Sequence, residues 1–206
     1  MHLFPPFNAS RFCIDQPAHV ALELMTQEHA QDLARMVQAG EIWRNPYAQI
    51  PSPKQVEAYI VSALTDAAKG GTRAFVIRWL NTANGATDEY PSGIVGCTRY
   101  FYLNTLHRRV QVGGTWLAEL ARRTGVNRTV KWLLLREAFD VMGLQRVEFA
   151  VHPENIESRT AMLRLGASFE GVLRQHLFIN NQPRDTAMYS FVRDDWANGR
   201  TTGLPK

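Results

Sequence analysis

Apolar and polar residues alternate over residues 19–25, the spacing of a short strand. Thr26 then offers an N-cap for a helix reaching about Gln38, with Gly40 as its stop signal. A second helix starts at Ser52-Pro53-Lys54-Gln55. Ser52 can accept from the amide three residues on, Pro53 suits the first helical turn, and Gln55 can reach back. This helix is expected to run to Ala68, ahead of Gly70-Gly71. Strand-like runs follow at 73–80, 93–103 and 109–117. The polar, turn-rich stretch 81–92 predicts an exposed loop, and 104–108 a hairpin connection. The period then changes. Over 127–142, Val130, Leu134, Ala138 and Met142 fall on one helical stripe with Leu135 and Phe139 beside it, and Gly143 ends the pattern. Residues 146–151 predict a strand, and 155–165 a helix closed by Gly166. Residues 169–179 and 185–192 predict two strands around a turn at Asn180-Asn181-Gln182-Pro183.

The predicted order is β-α-α-β-β-β-α-β-α-β-β. One strand-helix-strand unit inside a meandering series implies a mixed sheet in an α/β (α+β) layer. Residues 1–17 hold three prolines and no periodicity, so they are expected as an N-terminal arm. Residues 18–197 are then a single domain, with 198–206 as a tail.

Of the 206 residues, 45% are hydrophobic and 20% charged, as in an ordinary globular protein. No apolar run approaches the roughly 18–20 residues that span a membrane. Residues 1–7 lack a basic segment followed by an apolar core. A cytoplasmic location, with no membrane partner, is the expectation. Cys13 and Cys97 have neither CxxC spacing nor a histidine cluster, so they are expected as free thiols with no metal site. Net charge is +4, and the densest basic group is Arg122, Arg123, Arg128 and Lys131. That local cluster fits a small phosphate ligand better than a nucleic-acid groove.

Between the strand ending near Leu117 and the helix beginning near Asn127 lies Arg122-Arg123-Thr124-Gly125-Val126-Asn127. The first amides of a helix lack intrahelical partners and carry partial positive charge. A pyrophosphate can accept from them if the backbone approaches closely, which Gly125 permits, and Arg122, Arg123 or Arg128 can neutralise its oxygens. Neither a GxGxxG nor a GxxxxGK[ST] signature is present.

Arg122-x-x-Gly125-x-Asn127 resembles the [RQ]-x-x-G-x-[GA] pyrophosphate loop of the GNAT acetyltransferase superfamily, with Asn127 where Gly or Ala is usual. Asn127 is also a candidate helix N-cap. Val112-Gly113-Gly114-Thr115-Trp116-Leu117 is similar to a strand of the RimJ/RimL-like branch. So are Asn155-x-x-Ser158-Arg159, Leu163-x-Leu165-Gly166-Ala167 and Glu170-Gly171 to the helix and strand that follow in it. The resemblance covers roughly 93–196. It implies a mostly antiparallel twisted sheet with about four helices, splayed between the central strands. It also implies acetyl-CoA as cosubstrate, with pantetheine in the splay. Trp116, Leu117, the loop from Arg122 through Thr124, Gly125 and Val126 to Arg128, Asn155, Ser158 and Arg159 are its implied contacts.

Acetyl transfer to an amine needs a neutral nucleophile, a stabilised carbonyl oxygen and a protonated leaving thiolate. The Leu117 amide is the candidate for the carbonyl and Ser158 for the thiolate, while Asn155 would hold a pantetheine amide. Gln111 stands where many members carry glutamate, and an amide side chain cannot take a proton. A water relay to His152 or Glu119 is the weaker alternative. An α-amine, titrating near pH 7.7–8, needs little help from a base. Trp43, Tyr47, Tyr100, Tyr102 and His152 are candidates for binding the acceptor. The leading reading is an N-acetyltransferase acting on a primary amine, such as a protein N-terminus. Small-amine acetylation (an antibiotic or polyamine) and a non-catalytic acyl-CoA sensor stand beside it. Both a monomer and a homodimer fit the family.

Overall fold

The computed structural model describes residues 11–14, 19–80 and 92–199. Eight strands form one sheet: β1 (Arg11–Ile14), β2 (Val20–Leu24), β3 (Arg73–Trp79), β4 (Ile94–Asn104), β5 (Arg109–Leu117), β6 (Arg146–Val151), β7 (Ser168–Ile179) and β8 (Gln182–Val192). Their order is β1-β2-β3-β4-β5-β6-β8-β7, and every pair is antiparallel except β5–β6. A parallel pair needs a crossover, and α3 (Val126–Arg136) provides it. The remaining helices are α1 (Ala30–Gly40), α2 (Val56–Ala68), α4 (Ile156–Leu165) and α5 (Arg193–Ala197).

Register assigns the layers, because paired residues point to the same side of a sheet. Tyr100 faces α3, donating its hydroxyl to the Leu134 carbonyl at 2.5 Å. Arg73, Val112 and Phe149 pair along the same line and share that face. The α4 helix joins it through Arg159, whose Nε donates to the hydroxyl of Tyr189, the partner of Phe149. On the opposite face lie Cys97, Arg99, Phe101 and Trp116, where Tyr59 of α2 packs against Trp116 and Arg99. Phe75, Tyr100, Phe139, Leu133 and Phe191 are fully buried. No helix among the described residues is long and apolar enough to cross a membrane.

The predicted capping box at Ser52 forms, and the cap predicted at Thr26 is a capping box as well. The Thr26 amide donates to His29 Nδ1 at 3.0 Å, and the Ser52 amide to Gln55 Oε1 at 3.1 Å. Five local expectations are corrected. Part of the expected arm is strand β1, which pairs with the open edge of β2, where unpaired backbone groups seek partners. Helix α1 runs through Gly40, and Glu41, not glycine, takes the left-handed turn at φ 45°. Helix α3 starts at Val126 with Gly125 as its N-cap (φ 94°), so Asn127 lies inside the first turn and caps nothing. After Arg136 the chain continues as a π-turn over Glu137–Val141, where the guanidinium of Arg193 takes the Phe139 carbonyl at 2.5 Å. The β7–β8 turn is the pair Asn180-Asn181, both at positive φ. Gln182 and Pro183 already belong to β8. The predicted loop at 81–92 falls almost wholly outside the described residues.

Candidate functional site

The sheet opens at its centre. Between Cys97 and Arg99 of β4 one residue intervenes, whereas between their partners Trp116 and Gly113 there are two, Gly114 and Thr115. This is a β-bulge, and Gly114 takes φ 54° in it. Bulges bend a strand, and β5 leaves β6 here: the last β5–β6 pair is Val112 with Phe149. The five residues from Gly113 to Leu117 therefore border a wedge rather than a neighbour. Amides alternate in direction along a strand, and that of Ala118 donates back to Val95 on the β4 side at 2.8 Å. The Leu117 amide consequently points into the wedge. Its carbonyl points the same way and accepts from Arg122 Nε at 3.4 Å.

The mouth of the wedge is the start of α3. Its first intrahelical bond runs from the Thr129 amide to the Gly125 carbonyl at 3.0 Å. The amides of Val126, Asn127 and Arg128 thus have no partner within the helix. Val126 is fully buried, backbone and side chain alike. Arg123 and Arg128 are exposed and Arg122 half-buried. Thr124 is exposed, and its hydroxyl donates to the Ala121 carbonyl at 2.7 Å. Across the wedge, Asn155 caps α4 by accepting the Ser158 amide at 3.0 Å, and Ser158 is half-buried beside it. Asn155 is therefore both cap and candidate contact. Arg159 donates to Tyr189 and to the Pro153 carbonyl (2.9 Å).

Two cavities meet at Asn45 and Pro46, in the chain linking α1 to α2. One, of about 510 Å³, is bounded by Tyr47, Glu119, Arg122 and the start of α4 from Glu154 to Glu157. The other, of about 740 Å³, lies under α2 and the tip of the β7–β8 hairpin, with Trp43, Tyr59 and Arg184 in its wall.

The expected acceptor residues divide accordingly. Trp43 and Tyr47 line cavities, and the Tyr47 ring packs 5.0 Å from that of His152. Tyr100 does not serve: it is fully buried on the α3 side with its hydroxyl taken. Tyr102 is 66% exposed at the end of the sheet remote from the wedge. His152 Nδ1 accepts from the Glu154 amide at 3.1 Å. The neutral ring then carries its proton on Nε2 and has no free lone pair to act as base. Gln111 lies two residues before the opening, paired with Phe101 and Glu148. Trp116 is nearly buried, and its indole N–H donates to the Tyr59 hydroxyl at 3.4 Å.

Four polar residues here were not anticipated: Tyr59, Thr98, Thr115 and Arg99. Tyr59 contacts Cys97 Sγ at 3.2 Å, and burial raises its hydroxyl's pKa strongly. Burial likewise pushes the Cys97 thiol up to about 12, so it acts as core. On the other face, Thr98 and Thr115 join across the bulge at 2.8 Å, and the amine of buried Lys131 donates to Thr115 at 2.6 Å. These residues sit in ordinary apolar stripes, and only the bulge brings them together. Among the described residues no cluster of three or more His, Cys, Asp or Glu could hold a metal.

An uncharacterized N-acetyltransferase of Bacillus subtilis, YoaA, is 31% identical over 117 residues. That alignment spans 57% of this chain and 63% of the relative, less than two thirds of its length. A GCN5-related N-acetyltransferase structure from Brucella melitensis superposes with a TM-score of 0.74 at 22% identity, covering 90% of this chain and 80% of that one. Mycobacterium smegmatis RimJ in complex with CoA-disulfide gives 0.70 at 19%, covering 89% and 90%. The family model of the GNAT acetyltransferase domain matches residues 19–168, and this chain belongs to that family.

Proposed function

We propose that the chain transfers an acetyl group from acetyl-CoA to a primary amine by direct attack, and that the amine is an α-amine of the kind modified by the RimJ/RimL-like branch. The observation that carries this reading is the wedge: a strand edge with an inward amide at Leu117, leading from an unsatisfied helix start at Val126. A pyrophosphate fits that helix start because the amides of Asn127 and Arg128 have no partner within the helix, no side chain caps them, and the half-buried Arg122 precedes them in the same loop. Pantetheine fits the free edge of β5 because its amides can pair as an added strand would.

Bound acetyl-CoA supplies an activated thioester carbonyl. The Leu117 amide donates to its oxygen as negative charge develops there. The acceptor nitrogen forms the new C–N bond, the C–S bond breaks, and Ser158 is positioned to hydrogen-bond the departing sulfur. The surplus amine proton leaves to solvent, because neither Gln111 nor His152 has a free basic site. This favours an amine that is already partly neutral near pH 8, as an α-amine is and a lysine is not.

Thiol release from acetyl-CoA against peptides and small amines tests the reading. Turnover with peptide α-amines, and a Ser158→Ala variant that loses kcat while keeping CoA affinity, are the expected results. Cofactor binding without turnover on any amine would support a sensor instead.

A further inference from the structure

Resting on the amine-acceptor reading, we propose that the acceptor carries a carboxylate close to its amine and that Arg184 binds it in the larger cavity. The pairing that carries one face across the sheet links Phe101 to Gln111, Gln111 to Glu148, and Glu148 to Ser190. Along β8 the same face continues through Met188, Thr186 and Arg184. Arg99, two residues from Phe101, belongs to it as well. On this face four polar atoms are buried with no hydrogen-bond partner: Nε of Arg184, Nε and Nη2 of Arg99, and Oγ1 of Thr186. Arg99 is only 7% exposed and Thr186 only 1%.

Three of these four atoms are obligate donors, and the hydroxyl can donate. Leaving buried donors unmet is costly, and native proteins seldom do so without a reason. The cavity wall gives one. Arg184 lines it, and Tyr59 forms the wall in front of Arg99, whose guanidinium carbon lies 4.1 Å from the centre of the tyrosine ring. The other lining cation, Arg44, is paired with Glu41 at 3.0 Å, and among the described residues no carboxylate belongs to the lining. Burial already lowers the pKa of Arg184, the sign of a cation lacking its counter-charge. A carboxylate on the acceptor would supply it, with Arg184 as direct partner and Arg99 adding positive field from behind Tyr59. The smaller cavity differs in kind: Glu119, Glu154 and Glu157 outnumber its one cation, Arg122, and its fourth carboxylate, Glu41, is the one paired with Arg44. An acceptor with an ammonium at one end and a carboxylate at the other matches the polarity of the joined cavities.

The test uses the full chain, saturating acetyl-CoA, and two tetrapeptide amides that differ only in glutamate or glutamine at the second position. The wild type is expected to favour the acidic peptide at least tenfold in kcat/KM, chiefly through KM, with the preference shrinking as salt rises. Arg184→Gln should bring the ratio to about one, Arg184→Lys should restore part of it, and both should bind CoA as the wild type does. A wild-type ratio near one, or a ratio unaltered by Arg184→Gln, overturns the proposal. If neither peptide turns over although CoA binds, the α-amine reading fails instead. Calorimetry of the same peptides on the CoA complex then decides the anion site: equal affinities, or a preference that survives Arg184→Gln, refute it.

Discussion

Replacing Lys131 with methionine should stabilise the protein, and by an amount that depends on pH. Lys131 lies within α3 and is 3% exposed, with its amine on the Thr115 hydroxyl and 5.7 Å from the Phe149 ring centre. Burial away from any carboxylate brings its pKa from 10.5 down to about 7. In the unfolded chain the amine keeps its proton up to about 10.4. Between those two values the unfolded state binds more protons, so stability rises with pH. Below about pH 7 the folded protein carries the charge too, and the full penalty stands. Linkage puts the cost at about 4 kcal/mol at pH 7 and about 3 kcal/mol at pH 8.5. Methionine also forfeits the hydrogen bond to Thr115, worth about 1 kcal/mol. Lys131→Met should therefore gain about 3 kcal/mol at pH 7, shrinking by 1–2 kcal/mol at pH 8.5. Urea unfolding of both proteins at the two pH values measures it. The subtraction removes titrating groups not coupled to Lys131, such as Tyr59, that oppose the trend at high pH. A variant no more stable than the wild type at pH 7, or a difference constant with pH, would refute the reasoning.

Two further substitutions separate structure from chemistry. Tyr100→Phe should cost about 1 kcal/mol of stability by removing the buried hydroxyl's hydrogen bond to the Leu134 carbonyl, which keeps the Glu137 amide as a donor, and should leave KM for every acceptor unchanged; a selective rise in KM would return Tyr100 to the acceptor site. His152→Gln should keep turnover within about tenfold of the wild type at pH 8, well short of the loss typical of a removed general base. A drop of a thousandfold would mean that His152 takes the proton after all.

The sequence announced what depends on local spacing. The cap at Thr26, the capping box at Ser52, the stop at Gly143 and the cap and end of α4 at Asn155 and Gly166 lie within a few residues of what they control. They emerged as expected. Gly125 was expected to let the backbone approach a phosphate; its left-handed conformation makes it the helix cap and displaces Asn127. What depended on long-range pairing was illegible. Tyr100 and Arg99 are neighbours in β4, and only register shows that one faces α3 while the other sits behind Tyr59. Arg184 was legible only as the start of a strand that extends the family resemblance, and its unmet Nε appears only once the hairpin folds over the cavity. The bulge at Gly114-Thr115 was hidden within a strand whose ends were read correctly, yet it opens the wedge.

The central claim is that the helix start at Gly125 and the wedge beside Leu117 hold the two halves of CoA. Calorimetric titration of CoA and of pantetheine into the wild type and Gly125→Asp tests it most directly. The account predicts one CoA per chain, at least a hundredfold tighter than pantetheine, and a Gly125→Asp variant that loses most of that advantage. Circular dichroism should show that the variant remains folded. Equal affinity of CoA for a folded Gly125→Asp and the wild type, or no binding to the wild type, would contradict it.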